Sequence, residues 1–382
     1  MQGWPLFRIF IHMNGNPKVA LVHDWLVGMR GGEKVLEVLC ELFPRAVLFT
    51  LAHRPGSVSP VIDEMDIRTS FIEYLPGGLK HYQYYLLLYP SAIRSFDLRP
   101  YDLVISSSHA AAKGVRVRHD ALHICYCHTP MRYIWDQYEQ YFGPGRSSLP
   151  VRVGMKFFRE YLRRWDVATA RKVDYFIANS KYVGDRIRRI YDRSSVVIFP
   201  PVDVNAFRCA DGNQGYFLVV SALVPYKRID IAVKAFTTLG IPLVIAGSGS
   251  EEAKLKRLAG SNIRFTGYVP DAEIHSLYEG CRALVFPGEE DFGIVPVEAM
   301  SCGKPVLAYG RGGACETVVA GKTGLFFSEQ SPESLAGAVA DFERREFNAE
   351  AIRAHAMQFS RERFRQQISA FVSEKLTQQT LR

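Results

Sequence analysis

The sequence predicts an α/β protein built from two doubly wound parallel sheets. Short apolar runs alternate with helical patterns along the whole chain, which is typical of strands that helices cover on both faces. The 382 residues exceed what one core usually supports, and this favours two domains of roughly 150–200 residues. The stretch PPVDVNAFRCADGNQG (200–215) lacks periodicity and contains turn residues, so we predict a linker there.

The first half contains five predicted strands. The first strand, KVALVH (18–23), ends at the glycine-rich stretch GMRGG, which opens the predicted helix EKVLEVLCELF. The other strands are AVLFTL (46–51), DLVISSS (102–108), LHICYCH (122–128) and YFIANS (175–180). Further helices are predicted at 79–96, at 151–172 and in KYVGDRIRRIY. We expect residues 1–16 to be frayed, with Met13 as a second candidate start.

The second half repeats this alternation. Its predicted strands are YFLVVSAL (216–223), PLVIAG (242–247), NIRFTGYV (262–269), RALVFPG (282–288) and KPVLAYG (304–310), with a helix from Arg228 after the first. A long helical pattern at 359–376 follows, and by itself it could cover either domain. No apolar run approaches the ~20 residues that a membrane-spanning helix needs.

Basic residues are concentrated in one segment. The net charge is +8, and between Val151 and Arg193 twelve Lys/Arg stand against five acids. Bases and aromatic residues alternate there at helical spacing. Either this helix packs an apolar stripe on the core, or it binds an anionic membrane surface through Arg159, Arg163 and Arg164. Nucleic acid is disfavoured, because no zinc-finger, RRM or KH signature accompanies the charge.

The short motifs disfavour a zinc site and a dinucleotide-binding site. Seven scattered cysteines indicate reduced thiols in a cytosolic protein. Cys125, Cys127 and His128 suggest zinc, but no second Cys pair completes a tetrahedral set, so we predict no metal. The loop GSGSEE (247–252) begins as a dinucleotide fingerprint but has Glu252 in place of the third glycine, which disfavours a dehydrogenase.

The segment FPGEEDFGIVPVEAMSCGKPVLA carries the strongest candidate site. Glu290 lies in the loop after a predicted strand, and Glu298 lies on the helix that Gly293 opens. Backbone N–H groups at a helix start are unpaired and suit a phosphate, and a carboxylate on either side can bind hydroxyls. This arrangement matches a nucleotide-sugar. The alternative is a solvated helix residue beside an acidic loop.

Together with other segments, this motif resembles the retaining glycosyltransferases of family 4, which have the GT-B architecture. The segments are GGEKVLE, CHTPMRYIWD (127–136), NSKYVGDRI, PPVD (200–203), SALVPYKRID, IAGSGSEE, FTGYVPDAEI (265–274) and the Glu290–Glu298 motif with EAMSCGKPV. The resemblance implies Rossmann-like domains at 1–205 and 206–358, facing each other across a cleft, with 359–382 returning to the first. CHTPMRYIWD and LVPYKRID are most similar to bacterial mannosyltransferases of O-antigen and other surface polysaccharides.

The resemblance also implies roles for individual residues. The catalytic set is His128 at the transferred sugar, Lys227 and Arg228 at the leaving pyrophosphate, and Glu290 at the sugar hydroxyls. The donor-binding set is Gly31, Gly32, Gly247, Gly267, Tyr268, Val269, Phe292, Gly293, Ile294 and Glu298, with Glu298 on the ribose. Asp24 is a candidate acceptor contact, or it caps a turn. Many relatives carry an Arg where this chain has Ala222, and Arg228 is the nearest basic substitute in sequence.

For the reaction, the resemblance implies front-face attack with retention, and neither cofactor nor metal. GDP-mannose is the favoured donor, and UDP- or ADP-sugars remain open. The acceptor expected is a glycan or a polyprenyl-linked saccharide, and the location expected is cytoplasmic, peripheral on the inner face of the cell membrane. An alternative from another class is a membrane-surface binding protein with an inactive nucleotide site.

Overall fold

The computed structural model describes residues 17–143, 149–210 and 212–381, and the expectations for residues 1–16 and Met13 lie outside these ranges. The chain forms two compact units. The first contains the residues before Val202 together with Glu362–Arg382, and the second is Val202–Arg361. The division falls at Val202, and not after residue 205, because Val202 pairs with Ser360 of the second unit in an isolated β-bridge.

The first unit is built on a parallel sheet in the order β3-β2-β1-β4-β5-β6-β7. Its strands are β1 (Val19–His23), β2 (Val47–Thr50), β3 (Asp66–Thr69), β4 (Leu103–Ser108), β5 (Leu122–Cys127), β6 (Tyr175–Ala178) and β7 (Ser195–Val197). The five predicted strands are confirmed. The sequence missed β3 and β7, which lie at the two edges of the sheet and are partly exposed, so they lack the continuous apolar run that indicates a buried strand.

The helices of the first unit pack on both faces of this sheet. They are α1 (Gly31–Leu42), α2 (Pro60–Asp63), α3 (Gly78–His81), α4 (Tyr89–Arg94), α5 (Tyr138–Phe142), α6 (Leu149–Ala170), α7 (Lys181–Tyr191) and, at the carboxyl end of the chain, α15 (Arg361–Thr380). Helix α15 places Phe364, Ile368 and Phe371 in the same core as β1 and α1. The expected return of the last helix to the first domain is therefore confirmed.

The prediction of one amphipathic helix at 79–96 was wrong. The segment forms α3, a 3₁₀ turn at Tyr82–Leu88 and α4, and Tyr85 has left helical geometry at φ −92° and ψ 19°. Pro90 lies in the first turn of α4. Proline has no N–H and clashes with the preceding turn of a helix, so it is tolerated at a helix start but not inside one.

The second unit is built on another parallel sheet, in the order β10-β9-β8-β11-β12-β13. Its strands are β8 (Tyr216–Val220), β9 (Leu243–Ala246), β10 (Ile263–Gly267), β11 (Cys281–Phe286), β12 (Val306–Tyr309) and β13 (Gly324–Phe327). Its helices are α8 (Ile229–Leu239), α9 (Glu252–Leu258), α10 (Asp271–Gly280), α11 (Ile294–Ser301), α12 (Ala314–Thr317), α13 (Pro332–Phe342) and α14 (Ala349–Ala356). Strand order reverses between β8 and β11, and ligands in such sheets bind at the carboxyl ends of the strands at that point.

Candidate functional site

An ion pair lies at the reversal point of the second sheet. Lys227 ends a short 3₁₀ turn after β8, and Glu290 lies in the loop after β11. The Lys227 ammonium contacts the Glu290 carboxylate, and both side chains are mostly but not fully buried. The sequence assigned these residues separate roles, and the structure brings them together.

The loop after β12 holds Glu290 in place. The N–H of Gly313 donates to the carbonyl oxygen of Glu290 at 2.8 Å. A Cβ on Gly312 would lie 2.5 Å from the same oxygen, and a Cβ on Gly313 would lie 2.3 Å from Cα of Phe292. This close backbone approach requires glycine at both positions. Neither glycine was among the residues predicted for the site, although a Gly-Gly pair shortly after an apolar strand is a usable signal.

Glu298 is oriented by a tyrosine that was not among the predicted site residues. Helix α11 begins after Gly293, whose φ is +87°, and Glu298 lies on its second turn. The hydroxyl of Tyr278, on α10, donates to Oε2 of Glu298 at 2.8 Å. Burial and the Glu298 charge raise the pKa of Tyr278 well above its ordinary value, so this hydroxyl stays a donor. The carboxylate therefore has a fixed direction beside the helix start.

Two further loops, at Gly247 after β9 and at Gly267 at the end of β10, come close to the carboxyl edge of the second sheet. Gly247 has φ +131°, and a Cβ there would lie 1.9 Å from the carbonyl oxygen of Ser221. Its N–H donates to the carbonyl oxygen of Gly267 at 2.8 Å, so that carbonyl, in the strip predicted to meet the base, already accepts a hydrogen bond. Tyr268 in the strip is exposed, and Val269 is buried.

Two side-chain acceptors already engage the Arg228 guanidinium. It adopts left-handed backbone geometry at φ +53° between the 3₁₀ turn and α8, so the predicted helix begins one residue later. Its Nε donates to Oδ1 of Asp230 at 3.2 Å, and its Nη1 donates to Oε1 of Gln330 at 3.4 Å. Two acceptors therefore engage the residue that was the candidate substitute at Ala222.

Three histidines meet at the carboxyl edge of the first sheet. His23 ends β1, His109 follows β4 and His128 follows β5, with ring centroids 6.1 to 6.4 Å apart. Burial lowers the pKa of His128 well below its usual range, and His109, His23 and Arg132 add to this effect. Burial likewise lowers the pKa of His109. His128 and His109 are therefore neutral hydrogen-bonding groups near neutral pH. The local motifs pointed only to His128, although His23 also ends an apolar strand and His109 follows another.

The glycine-rich stretch lies beside these histidines. Helix α1 begins at Gly31, with Arg30 as its cap. A Cβ on Gly32 would lie 3.6 Å from Nε2 of His128 and 3.6 Å from Cε1 of His23. The absence of a side chain at Gly32 thus leaves space next to both rings.

Asp24 has the role of a backbone cap. It is fully buried, and its two oxygens accept four backbone N–H groups at 2.6 to 2.9 Å, from His109, Ala110, Ala111 and Ala112. The carboxylate caps the segment after β4, and not a turn after β1. All of these partners lie at least 85 residues away in sequence, which is why the local pattern did not indicate them.

Two of the three arginines predicted to meet a membrane point inward. Nε of Arg159 and Nε of Arg163 both donate to the carbonyl oxygen of Ile134 at 2.9 Å. Their guanidinium groups also lie over aromatic rings, those of Tyr138 and Trp135 respectively. Only Arg164 is exposed, where it pairs with Glu160 at 3.1 Å. Arg159 and Arg163 therefore hold the loop after β5 against α6.

Helix α6 nevertheless exposes an apolar stripe. Its members recur every four residues and are Leu149 (67% exposed), Val153 (49%), Phe157 (75%) and Tyr161 (50%). The neighbouring positions Arg152, Lys156 and Arg164 carry positive charge. Within the described residues, no helix is long and apolar enough to cross a membrane.

No group of three or more His, Cys, Asp or Glu side chains in the described part of the chain is arranged to hold a metal ion. Cys125 and Cys127 lie in one buried apolar cluster of the first unit.

Comparison with known proteins identifies both halves of the chain. Residues 29–206 match the sequence model described as Glycosyltransferase Family 4, and residues 208–359 match Glycosyl transferases group 1. Together these two matches cover most of the chain.

Two curated relatives and one solved structure are similar to it. The GDP-mannose-dependent alpha-(1-6)-phosphatidylinositol monomannoside mannosyltransferase of Mycobacterium tuberculosis is 31% identical over 229 residues, 52% of this chain and 57% of that protein. The O-antigen chain mannosyltransferase B of Escherichia coli is 36% identical over 107 residues, 25% of this chain and 28% of that protein. The structure of Anabaena HepE in complex with UDP and glucose superposes with a TM-score of 0.68 and 20% identity, over 94% of this chain and 99% of that one.

The chain spans about half the length of the curated relatives it matches, or less. The likeness to HepE is at the level of the fold, which is of the GT-B type with two Rossmann-like units.

Proposed function

The chain belongs to glycosyltransferase family 4, and we propose that it transfers a hexose from a nucleoside-diphosphate sugar to a glycan or a polyprenyl-linked saccharide. The observation that carries this proposal is the cluster at the reversal point of the second sheet. There the Lys227–Glu290 pair and the oriented Glu298 flank the start of α11. A cation, a positive helix end and two carboxylates suit a diphosphate with a sugar on either side.

Mannose from GDP-mannose is the donor we propose. Two of the similar relatives are named as mannosyltransferases, one of them GDP-mannose-dependent. HepE was solved with UDP and glucose, so a UDP-sugar is the principal alternative, followed by an ADP-sugar. All three nucleotides offer the same diphosphate to Lys227 and α11.

The proposed reaction breaks the bond between the anomeric carbon and the β-phosphate oxygen. Negative charge then develops on the departing phosphate, where Lys227 and the amino end of α11 stabilise it without a metal ion. Retention follows if the acceptor hydroxyl attacks the same face and the departing phosphate takes its proton. Glu290 binds sugar hydroxyls in this scheme, and its contact with Lys227 keeps both groups in place before the donor arrives.

The test is a thermal-shift panel on the full chain with GDP-mannose, UDP-glucose, ADP-glucose and NAD⁺. A ligand at 100 times its Kd stabilises the native state by about 2.7 kcal/mol, so the true donor should raise the Tm above that of the other nucleotides. Transfer of radiolabelled sugar should then persist in excess EDTA. A response to NAD⁺ alone, or to no nucleotide, would contradict the proposal, and complete loss of transfer in EDTA that magnesium reverses would contradict the metal-independent scheme.

We further propose that the chain docks peripherally on the cytoplasmic face of the membrane through the apolar stripe of α6. Aromatic side chains beside Lys and Arg are typical of interfacial helices on anionic lipids. The double variant Phe157→Ser, Tyr161→Ser should reduce sedimentation with vesicles containing phosphatidylglycerol, and so should Lys156→Glu. Leu258→Ser, which removes an exposed apolar side chain of the second unit, is the control. Vesicle binding that neither set of variants changes would contradict this role, and vesicle binding without any nucleotide response would favour a membrane-binding protein with an inactive site.

A further inference from the structure

Ser107 connects two of the three histidines at the edge of the first sheet. It lies on β4 directly beside His23 of β1 in the parallel register. Its Oγ is 3.0 Å from Nδ1 of His23 and 2.8 Å from Nε2 of His128. A hydroxyl has one proton to donate and lone pairs to accept with. Between two imidazoles that carry one proton each, Ser107 donates to one ring and accepts from the other.

Glu33 lies on the other side of His23 and is oriented by the start of α1. Oε2 of Glu33 accepts the N–H of Arg30 at 2.9 Å in a capping box, so Oε1 is the oxygen that faces His23. Nε2 of His23 is 3.6 Å from this Oε1 and has no hydrogen-bond partner within the described residues. Burial opposes ionisation of Glu33, but the facing histidines outweigh it and lower the pKa of this carboxyl.

The direction of each hydrogen bond follows from this carboxylate. With a single proton on the His23 ring, that proton lies on Nε2, toward Glu33, because an ionised carboxylate only accepts. Nδ1 of His23 is then a lone pair and takes the proton of Ser107. Ser107 in turn accepts from Nε2 of His128. His128 is left with its proton on Nε2 and a lone pair on Nδ1.

We propose that Glu33, acting through His23 and Ser107, holds His128 in the Nε2–H tautomer, and that these three are positioning residues for glycosyl transfer. The catalytic part of this inference rests on the proposed function, in which His128 contacts hydroxyls of the transferred sugar. A lone pair on Nδ1 accepts a hydrogen bond from a hydroxyl, whereas an N–H there would donate one. The tautomer thus decides which partner His128 can bind.

The hydrogen bonds that run from Glu33 through His23 and Ser107 to His128, which we call the relay, determine the tautomer, and the other groups around His128 act in different ways. His109 and Tyr126 present rings 6.2 and 5.1 Å away, centroid to centroid, and His109 is itself paired with Asp24 at 3.1 Å. Arg132 adds a positive charge that disfavours a second proton on His128. The neutral ring therefore has one proton, and the hydrogen bond to Ser107 determines its place.

The direct test is the tautomer of His128 in the full chain, read from imidazole ¹⁵N chemical shifts at pH 8 after labelling histidine. The His128 signals are assigned by their loss in His128→Gln. We expect the wild type to show Nε2–H. Glu33→Gln should reverse the relay, because the capping box keeps the amide oxygen at the N–H of Arg30 and turns the NH₂ group toward His23. His128 should then change to Nδ1–H.

Ser106→Ala is the matched control. Ser106 is a neighbour on β4, is equally buried, and also bonds a histidine, since its Oγ is 2.9 Å from Nε2 of His123. It points to the opposite face of the sheet and should not change the tautomer of His128. An Nδ1–H form in the wild type, or a tautomer that Glu33→Gln leaves unchanged, would overturn the proposal. Neither result depends on activity, so the relay can fail while the proposed function stands, and the reverse also holds.

Kinetics test the positioning role. Ser107→Ala should lower kcat about tenfold or more, as loss of an orienting group does in other sites, while nucleotide Kd stays constant because Lys227, Glu298 and the start of α11 are on the second unit. Ser107→Thr restores a hydroxyl and should recover most of the loss, and Ser106→Ala should keep wild-type kcat. If Ser107→Ala changes the tautomer but leaves kcat unaltered, the positioning role is wrong.

Discussion

Asp24→Asn should destabilise the first unit strongly while leaving its shape intact. Oδ2 of Asp24 accepts the N–H groups of His109 and Ala110, and Oδ1 accepts those of Ala111 and Ala112. An asparagine has one oxygen and one NH₂ group, so whichever way it turns, two buried N–H donors face another donor.

The expected loss follows from these two donors. A buried group left without its partner costs about 1–3 kcal/mol, so two of them cost about 4 kcal/mol, a large part of the 5–15 kcal/mol typical of a folded domain. With an m-value of about 3 kcal/mol per M in urea, the unfolding midpoint should fall by about 1.3 M. All four tryptophans precede Val202, so tryptophan fluorescence reports on the first unit.

Asp97→Asn is the control for this measurement. Asp97 also accepts a backbone N–H, that of Arg99 at 3.2 Å, but it is exposed, so water can replace the lost bond and the midpoint should not move. An Asp24→Asn protein with a wild-type midpoint and a raised KM for the acceptor would refute this reasoning and restore Asp24 as a substrate contact.

Three further predictions concern charge. Glu298→Ala should weaken nucleotide binding in calorimetry about tenfold by removing a charged hydrogen bond. Glu290→Ala should lower kcat without weakening nucleotide binding, because Glu290 is proposed to contact the sugar hydroxyls and to hold Lys227 in place. Lys227→Ala should lower kcat about tenfold or more, equivalent to about 1.4 kcal/mol, whereas Arg228→Ala should have a smaller effect because other side chains already hold its guanidinium. Burial lowers the pKa of His123 to about 3, so below pH 6.5 the unfolded chain binds a proton that the folded chain does not. As the pH is lowered from about 6.5 to 3, His123 should therefore reduce the free energy of unfolding by about 1.4 kcal/mol per pH unit. His123→Gln should remove that slope.

Opposite results would contradict each of these predictions. Equal effects of Glu290→Ala and Glu298→Ala on binding would mean that the two carboxylates have no separate roles. A wild-type kcat in Lys227→Ala would show that the leaving phosphate does not lie beside Lys227. His119→Gln, at an exposed histidine, is the control for the pH slope, and an equal change in both histidine variants would show that burial is not the cause.

Local pattern was sufficient for the central strands and for the loops that follow them. A buried parallel strand needs a continuous apolar run, so β1, β4, β5, β8 and β11 could be predicted from composition alone. Residues that follow such a strand lie at the carboxyl edge of the sheet. This rule predicted that edge as the location of His128 and Glu290. The short edge strand β3 (Asp66–Thr69) is exposed and polar, and so has no such signal.

The sequence by itself determined two parallel sheets, their central strands and a last helix at 359–376, whereas the return of that helix to the first domain was implied only by the family resemblance. Only the tertiary structure decided which partner each polar side chain has. Asp24 binds backbone 85 to 88 residues away, Arg159 and Arg163 bind a carbonyl 25 and 29 residues away, and Ser107 joins histidines from two other strands. The physical reason is that apolar burial follows local periodicity, whereas a hydrogen bond needs two atoms within about 3 Å, and the folded chain alone brings such distant atoms together.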